Sequence, residues 1–217
     1  MALRKTILVL SLLLPALAAA DPAAQAAAAG APAPNGDPAR VVGQLQDALL
    51  SSMKDSKTLG YEGRYQRLEP VVQRVFDLPF MAEKSVGRHW ATASEQDQKD
   101  PVATFSRFTV ANFAGRFDDY SGQSFRILGV EPSTHDTVLV RTHLDVPKED
   151  GVELNYRLRE VDGGWRIVDI YLNGTVSELA LRRSEYSALV QREGFKGLLA
   201  KLGERIADLA RPSGKKS

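Results

Sequence analysis

Apolar residues at Val41, Val42, Leu45, Leu49 and Met53 recur in steps of three and four, the spacing of one helix face. Pro38 sits ahead of them, where a first-turn proline is tolerated. A second stripe, Tyr61, Tyr65, Leu68, Val71, Val72, Val75 and Phe76, predicts a second helix. Pro70 inside it marks either a kink or the true start of a separate piece, because proline lacks the N–H that the helix ladder uses. Asp77-Leu78-Pro79 reads as the cap and opening of a short helix carrying Phe80, Met81 and Val86 and stopped by Gly87. Ser94 and Asp97 have the spacing of a capping box, with Asp in place of the usual Glu or Gln, ahead of a long stripe through Phe105, Phe108, Val110, Phe113 and Phe117. Pro101 interrupts that stripe, and proline in a helix interior costs about 3 kcal/mol. Either Asp100-Pro101 restarts the helix as cap and first residue, or the helix bends there; the restart is the preferred reading.

After Tyr120-Ser121-Gly122 the pattern changes to strand alternation. Four strands are expected, over 123–130, 137–146, 152–161 and 164–172. In the second, Val138, Val140, Thr142, Leu144 and Val146 alternate with Leu139, Arg141, His143 and Asp145; Val152, Leu154, Tyr156 and Leu158 do the same in the third. Asp162-Gly163-Gly164 is a tight hairpin signal that makes the third and fourth strands neighbours. Val176, Leu179, Ala180, Tyr186, Leu189 and Val190, then Phe195, Leu198, Leu199, Leu202, Ile206 and Leu209, return to helix spacing in two pieces punctuated by Gly194 and Gly197. Helices, a meander, then helices predict an α+β domain: a four-stranded antiparallel curved sheet whose apolar face is covered by the N- and C-terminal helices.

The N-terminus changes the picture of where this domain works. Arg4 and Lys5 precede an apolar run from Ile7 to Leu17, and Ala18-Ala19-Ala20 offers the small residues of a signal-peptidase site, so residues 1–20 read as a removable signal peptide. The run falls short of the roughly 18 to 20 residues that span a bilayer, which makes an uncleaved anchor the weaker alternative. There is no cysteine, hence no thiol to lipidate and no disulfide framework. Residues 21–38, almost all Ala, Pro, Gly, Asn, Asp and Gln, read as a disordered tether; 39–210 is the folded domain and 211–217 a polar tail. Without Arg4 and Lys5 the 28 basic residues become 26 against 27 acidic ones, a formal charge near −1, and nothing in it suggests nucleic acid, whose binders carry a concentrated positive face.

Catalytic chemistry finds little to work with. No cysteine nucleophile and no G-x-S-x-G elbow is present, and His89, His135 and His143 are scattered away from metal-ligand spacing. Gly163-Gly164 joins two strands and opens no helix, so it is no phosphate loop, and Asn173-Gly174-Thr175 reads as a plain turn rather than a sequon. Asp169 is the most suggestive polar position, placed by alternation on one side of the fourth strand with Trp165, Ile167 and Tyr171. If that side is buried, the carboxylate pairs with Arg157 or Arg159 as a structural ion pair; the sharper reading makes it the base of a small isomerase or dehydratase.

Phe76-Asp77, Val86-Gly87-Arg88-His89-Trp90, the Ser94 turn, Trp165-Arg166-Ile167-Val168-Asp169, Gly174-Thr175-Val176-Ser177 and Arg183-Ser184-Glu185-Tyr186 follow one another in an order and spacing that resemble the periplasmic MlaC, or toluene-tolerance, family over roughly residues 40–210. Tyr120-Ser121-Gly122-Gln123-Ser124-Phe125 and Leu154-Asn155-Tyr156-Arg157-Leu158 look more like its hopanoid-associated HpnM branch. Pro101 departs from the family's pattern, which has an apolar or aromatic residue there. The resemblance implies a cystatin-like or NTF2-like arrangement around an apolar cavity, and a non-enzymatic carrier without cofactor or metal. It implies that the carrier binds the hydrocarbon part of a phospholipid or hopanoid and shuttles it between inner and outer membranes. The implied partners are an inner-membrane ABC transporter complex and an outer-membrane lipoprotein complex. The expected lining is Phe80, Met81, Phe105, Phe108 and Phe113 from the helices, with Val140, Leu144, Tyr156, Leu158 and Ile167 from the sheet. Arg182-Arg183 has two readings, a contact for headgroups or a partner and a plain solvated helix face. Two other functions stay open beside the carrier: the Asp169 enzyme and an accessory module of a transporter complex that binds no lipid.

Overall fold

The computed structural model describes residues 36–211. The signal peptide expected at 1–20, the tether up to residue 35 and the tail beyond residue 211 lie outside the described residues. The element order is α1 (Pro38–Lys54), α2 (Ser56–Val75), α3 (Leu78–Val86), a 3₁₀ helix (Gly87–Thr92), α4 (Glu95–Arg116), β1 (Ser124–Ser133), β2 (Thr137–Asp145), β3 (Val152–Val161), β4 (Gly164–Leu172), β5 (Val176–Ser177) and α5 (Glu178–Ala210). An α+β domain is therefore what forms, with one more strand than the sequence pattern predicts.

The starts of α1, α3, α4 and α5 are marked by side-chain caps. The Asp37 carboxylate accepts from Ala39 N–H, with Pro38 in the first turn of α1. Asp77 accepts from Phe80 N–H to open α3, and Ser94 Oγ accepts from Asp97 N–H at 3.1 Å while donating to the Asp97 carboxylate. From that cap α4 runs unbroken to Arg116, so the restart at Asp100-Pro101 does not occur. The Pro101 ring is buried, and its packing offsets part of the hydrogen bond that it removes. In α2 the break likewise lies away from the proline. Gly60, at φ 58° and ψ −170°, takes a conformation that favours glycine and interrupts the helix, which then continues through Pro70. Gly194 (φ 69°) breaks α5 as expected, whereas Gly197 lies within the helix.

The sheet is antiparallel in the order β1-β2-β3-β4-β5. Val176, counted by its spacing as the first apolar position of the late helix, instead pairs with Leu172, and Ser177 pairs with Tyr171. Ser177 then caps α5 by accepting from Ala180 N–H. An N-cap residue has extended backbone, so the same residue ends the fifth strand and opens the helix.

A bulge at Val168 has the larger consequence, because Arg157 pairs with Asp169 while the next residue of β3, Leu158, pairs with Ile167. Alternation therefore slips by one along β4. Ile167, Ile170 and Leu172 share the face of Leu158, Tyr156 and Leu154, while Asp169 and Tyr171 go to the opposite face with Arg157 and Asn155. The core between the first face and the helices contains Leu45, Leu49, Leu68, Phe105, Tyr156, Leu158, Ile167 and Leu198, none more than 2% exposed. Buried Arg64 fastens α2 to the end of α4, donating from Nε to the Ala114 carbonyl at 2.9 Å.

Candidate functional site

The inner face of the sheet is filled at one end only. At the other end a cavity of about 370 Å³ remains, within the range of about 300–1,000 Å³ seen for ligand pockets. Leu144 and Val146, Leu154 and Tyr156 of β3, and Ile170 and Leu172 of β4 form its sheet wall. Met53 closes it from the end of α1, Phe76 and Met81 from the region of α3, and Phe113 and Phe117 from the last turns of α4. Three ring contacts run along this wall: Phe76 to Phe113 with centroids 5.7 Å apart, Phe113 to Phe117 at 6.0 Å and Phe117 to Phe125 at 6.4 Å. The polar lining is Thr109, Asn112, Arg116, Asp118, Asp119, Gln123, Glu178 and Arg182; Arg116 and Asp119 are exposed, so this side meets water.

Of the ten residues expected to line a cavity, Met81, Phe113, Leu144 and Tyr156 do border it. Phe105, Phe108, Val140, Leu158 and Ile167 are buried in the packed core instead. Phe80 lines a separate groove on the outer face, with Arg159 4.3 Å and Lys84 5.2 Å from its ring centre. Met53, Phe76, Phe117, Val146, Leu154, Ile170 and Leu172 were missed. For Leu154 and Val146 the alternation already placed them on the right face, beside Tyr156 and Leu144. Ile170 and Leu172 were hidden by the Val168 bulge, which no pattern in the sequence announces.

Tyr156 is wholly buried, and burial pushes its phenol well above the ordinary tyrosine range, with a hydrogen bond to Gln46 only partly opposing this. It stays protonated, which disqualifies it as a base. Asp169 lies on the other face of the sheet, away from the cavity. Its carboxylate accepts from Ser177 Oγ at 2.6 Å, Ile170 N–H at 2.8 Å and Leu179 N–H at 3.0 Å, which makes it part of the cap of α5. The expected ion pair with Arg157 or Arg159 does not form. Arg159 pairs with Asp77, with Nη2–Oδ2 at 2.6 Å, and Arg157 stacks over Tyr171 at 5.1 Å. His143 sits 3.0 Å from Asp145 in a surface cluster with Arg126, and among the described residues no three ligand-type side chains could hold a metal ion. No helix among the described residues is long and apolar enough to cross a membrane.

Comparison with known proteins agrees with this geometry. The solved structure of a phospholipid-binding protein from Ralstonia solanacearum, determined in complex with a phospholipid, superposes with a TM-score of 0.70 at 22% identity, covering 81% of this chain and all of that one. That likeness establishes the shared fold. No curated protein matches in a sequence search. A family model described as MlaC protein matches residues 43–204, well over half of the chain. The order of motifs, the helix-covered antiparallel sheet and this match converge: the chain belongs to the MlaC family.

Proposed function

We propose that this protein is a periplasmic carrier that takes the hydrocarbon part of a lipid into the cavity between the sheet, the end of α1 and the last turns of α4, and moves it between the inner and outer membranes. The observation that carries this reading is the unfilled apolar volume behind Phe113, Phe117, Leu154 and Ile170, in a family whose Ralstonia relative was solved with a phospholipid. The physical need is plain. At about 0.8 kcal/mol per CH₂, a chain of roughly sixteen carbons resists entering water by about 12 kcal/mol, so spontaneous crossing of an aqueous space is negligibly slow. A carrier that replaces the bilayer interior with its own apolar lining makes the exchange nearly neutral, and direction then has to come from partners. By family resemblance these are an inner-membrane ABC transporter complex and an outer-membrane lipoprotein complex. The apolar part of the lining, with Met53, Met81 and three phenylalanines, suits a deformable hydrocarbon. Both a phospholipid and a hopanoid satisfy this requirement.

The enzyme reading loses its support because the single candidate base faces away from the cavity, capping a helix. Native mass spectrometry of the protein purified from a periplasmic extract tests the carrier. Co-purified lipid is the expected result. A clean apo mass together with no uptake from liposomes would leave the accessory-module reading standing in its place.

A further inference from the structure

The outer face of the sheet carries a second concave feature, the groove that Phe80 borders. It measures about 560 Å³, well within the range of ligand pockets. Arg157 and Asp169 border it while their chain neighbours Tyr156 and Ile170 border the cavity, so the two hollows lie on opposite faces of β3 and β4. Phe80, Val168 and Leu179 give the groove an apolar lining, and Lys84, Arg157, Arg159 and Arg183 bring cations to it from α3, β3 and α5. The one acid in the lining, Asp169, is 5% exposed and already holds Ser177 Oγ and the Ile170 and Leu179 N–H groups. Two of the cations are compensated. Arg159 pairs with Asp77 at 2.6 Å and Lys84 with Glu83 at 2.6 Å, and both also approach the Phe80 ring. The other two are not: Arg157 stacks on Tyr171, the exposed Arg183 lies against Gly87, and among the described residues neither joins an ion pair. Even with Asp77 and Glu83 included, four cations meet three acids here.

We propose that this groove is a docking site for an acidic segment of a partner protein, one in which carboxylates flank an apolar side chain. The apolar side chain sits against Phe80 and Val168, and the carboxylates take the guanidinium forks of Arg157 and Arg183, whose planar geometry suits bidentate pairing. Shape decides against the other anionic surface, a membrane. The cations surround a hollow, and Arg157 is half-buried with its Nε closed off, so a flat bilayer meets only the exposed Arg183 and Lys84. A side chain projecting from a partner reaches the ring and the inner arginine as well. Complementary charge of this kind steers encounter and sets the choice of partner more than it adds affinity. Because groove and cavity occupy opposite faces of the sheet, a partner seated here leaves the cavity lining uncovered. The docking site therefore stands beside the lipid reading and does not depend on it.

The test titrates the isotope-labelled mature protein, followed by NMR, with a synthetic peptide in which a leucine is flanked by glutamates on both sides. Saturable shifts are expected at the amides of Phe80, Arg157, Val168 and Arg183, with those of Leu144 and Leu172 on the cavity wall unmoved. The same peptide with glutamine in place of glutamate should bind about tenfold more weakly, the worth of one charge-assisted pair. Arg183→Gln should weaken the acidic peptide by a similar factor, and its exposed side chain makes no ion pair that the fold would lose. Equal binding of the charged and the neutral peptide overturns the proposal, and that comparison needs no variant to fold. Shifts confined to the cavity wall, no shifts at all, or an Arg183→Gln protein that binds like the wild type overturn it too. Flotation with dioleoyl phosphatidylglycerol vesicles supplies the last arm. Vesicle binding that Arg183→Gln abolishes, with no peptide shifts in the groove, would reassign this face to a membrane and sink the protein partner.

Discussion

The two halves of α4 carry the same residue type to opposite ends. Phe105, at the middle of the helix, is 2% exposed and sealed into the core, whereas Phe113 and Phe117, two to three turns later, form the wall of an open cavity. Both halves show the same apolar recurrence, so the difference is made by what stands opposite. The first half meets α5 and its bulky Tyr186, Leu189 and Leu198. The second is held by Arg64 of α2 and by Leu209 at the end of α5, and its Phe113, with Phe117 just beyond, faces Leu154, Tyr156, Ile170 and Leu172 of the sheet across the cavity.

The largest expected effect separates filled from open directly. Phe105→Ala should destabilise the fold by about 3–5 kcal/mol through lost transfer energy and the residual cavity. Phe117→Ala should cost only about 1 kcal/mol, because that ring already lacks partner atoms on the cavity side. Urea denaturation of the two variants reads the difference, and equal losses would mean that the two halves are packed alike. Next in size is filling the void. Ile170→Trp should lower bound lipid by about tenfold while changing folding free energy by less than about 1.5 kcal/mol. Full lipid loading in that variant would place the ligand elsewhere.

That asymmetry also explains how much could be read from the chain alone. Helix existence, the first four strands and the Gly194 break follow from local periodicity and local backbone demands, and they appear where expected. The inner-facing set of β3 was equally legible, since Leu154 and Tyr156 need only alternation. What escaped depends on distant partners. The Val168 bulge is a pairing decision between two strands, and it reverses the face of every residue after it, Asp169 included. Pro70 reads locally as a kink or a fresh start and Pro101 as a restart or a bend, because their penalty is real, yet the helix runs through both, with Pro101 buried and Pro70 exposed, while Gly60 yields. Whether an apolar side chain fills space or borders it leaves no trace in its own spacing, which is why Phe105 and Phe113 looked identical.

The opposite face of the sheet offers a sharper contrast, because there the Asp169 carboxylate is already held by three neighbouring donors. Asp169→Asn keeps the shape but removes the charge that faces the first turn of α5. The expected cost is about 1 kcal/mol of stability with lipid retention unchanged. Retention that fell in step with a vanished turnover would restore the enzyme reading; retention that fell alone would show that the two faces communicate.

The smallest effect lies at the rim, where Leu144 of the cavity wall is followed directly by Asp145. Arg126 on β1 donates to the Asp145 carboxylate from Nε at 2.6 Å and from Nη2 at 2.8 Å, tying the edge strand to β2. That pair of hydrogen bonds, helped by His143 and opposed by desolvation, holds the carboxyl down at about 2 against an ordinary 3.8. The folded value lies below the unfolded one, so the stabilisation is complete above about pH 4 and is lost as the pH falls through 2. Because the carboxylate is in contact with solvent, salt and water screen its contribution to little. NMR titration of the Asp145 side chain should show its midpoint near 2, and Arg126→Gln should return it towards 3.8. A midpoint unmoved by that substitution would mean that the clasp does not hold in solution, leaving β1 tied to the cavity's rim by its backbone ladder alone.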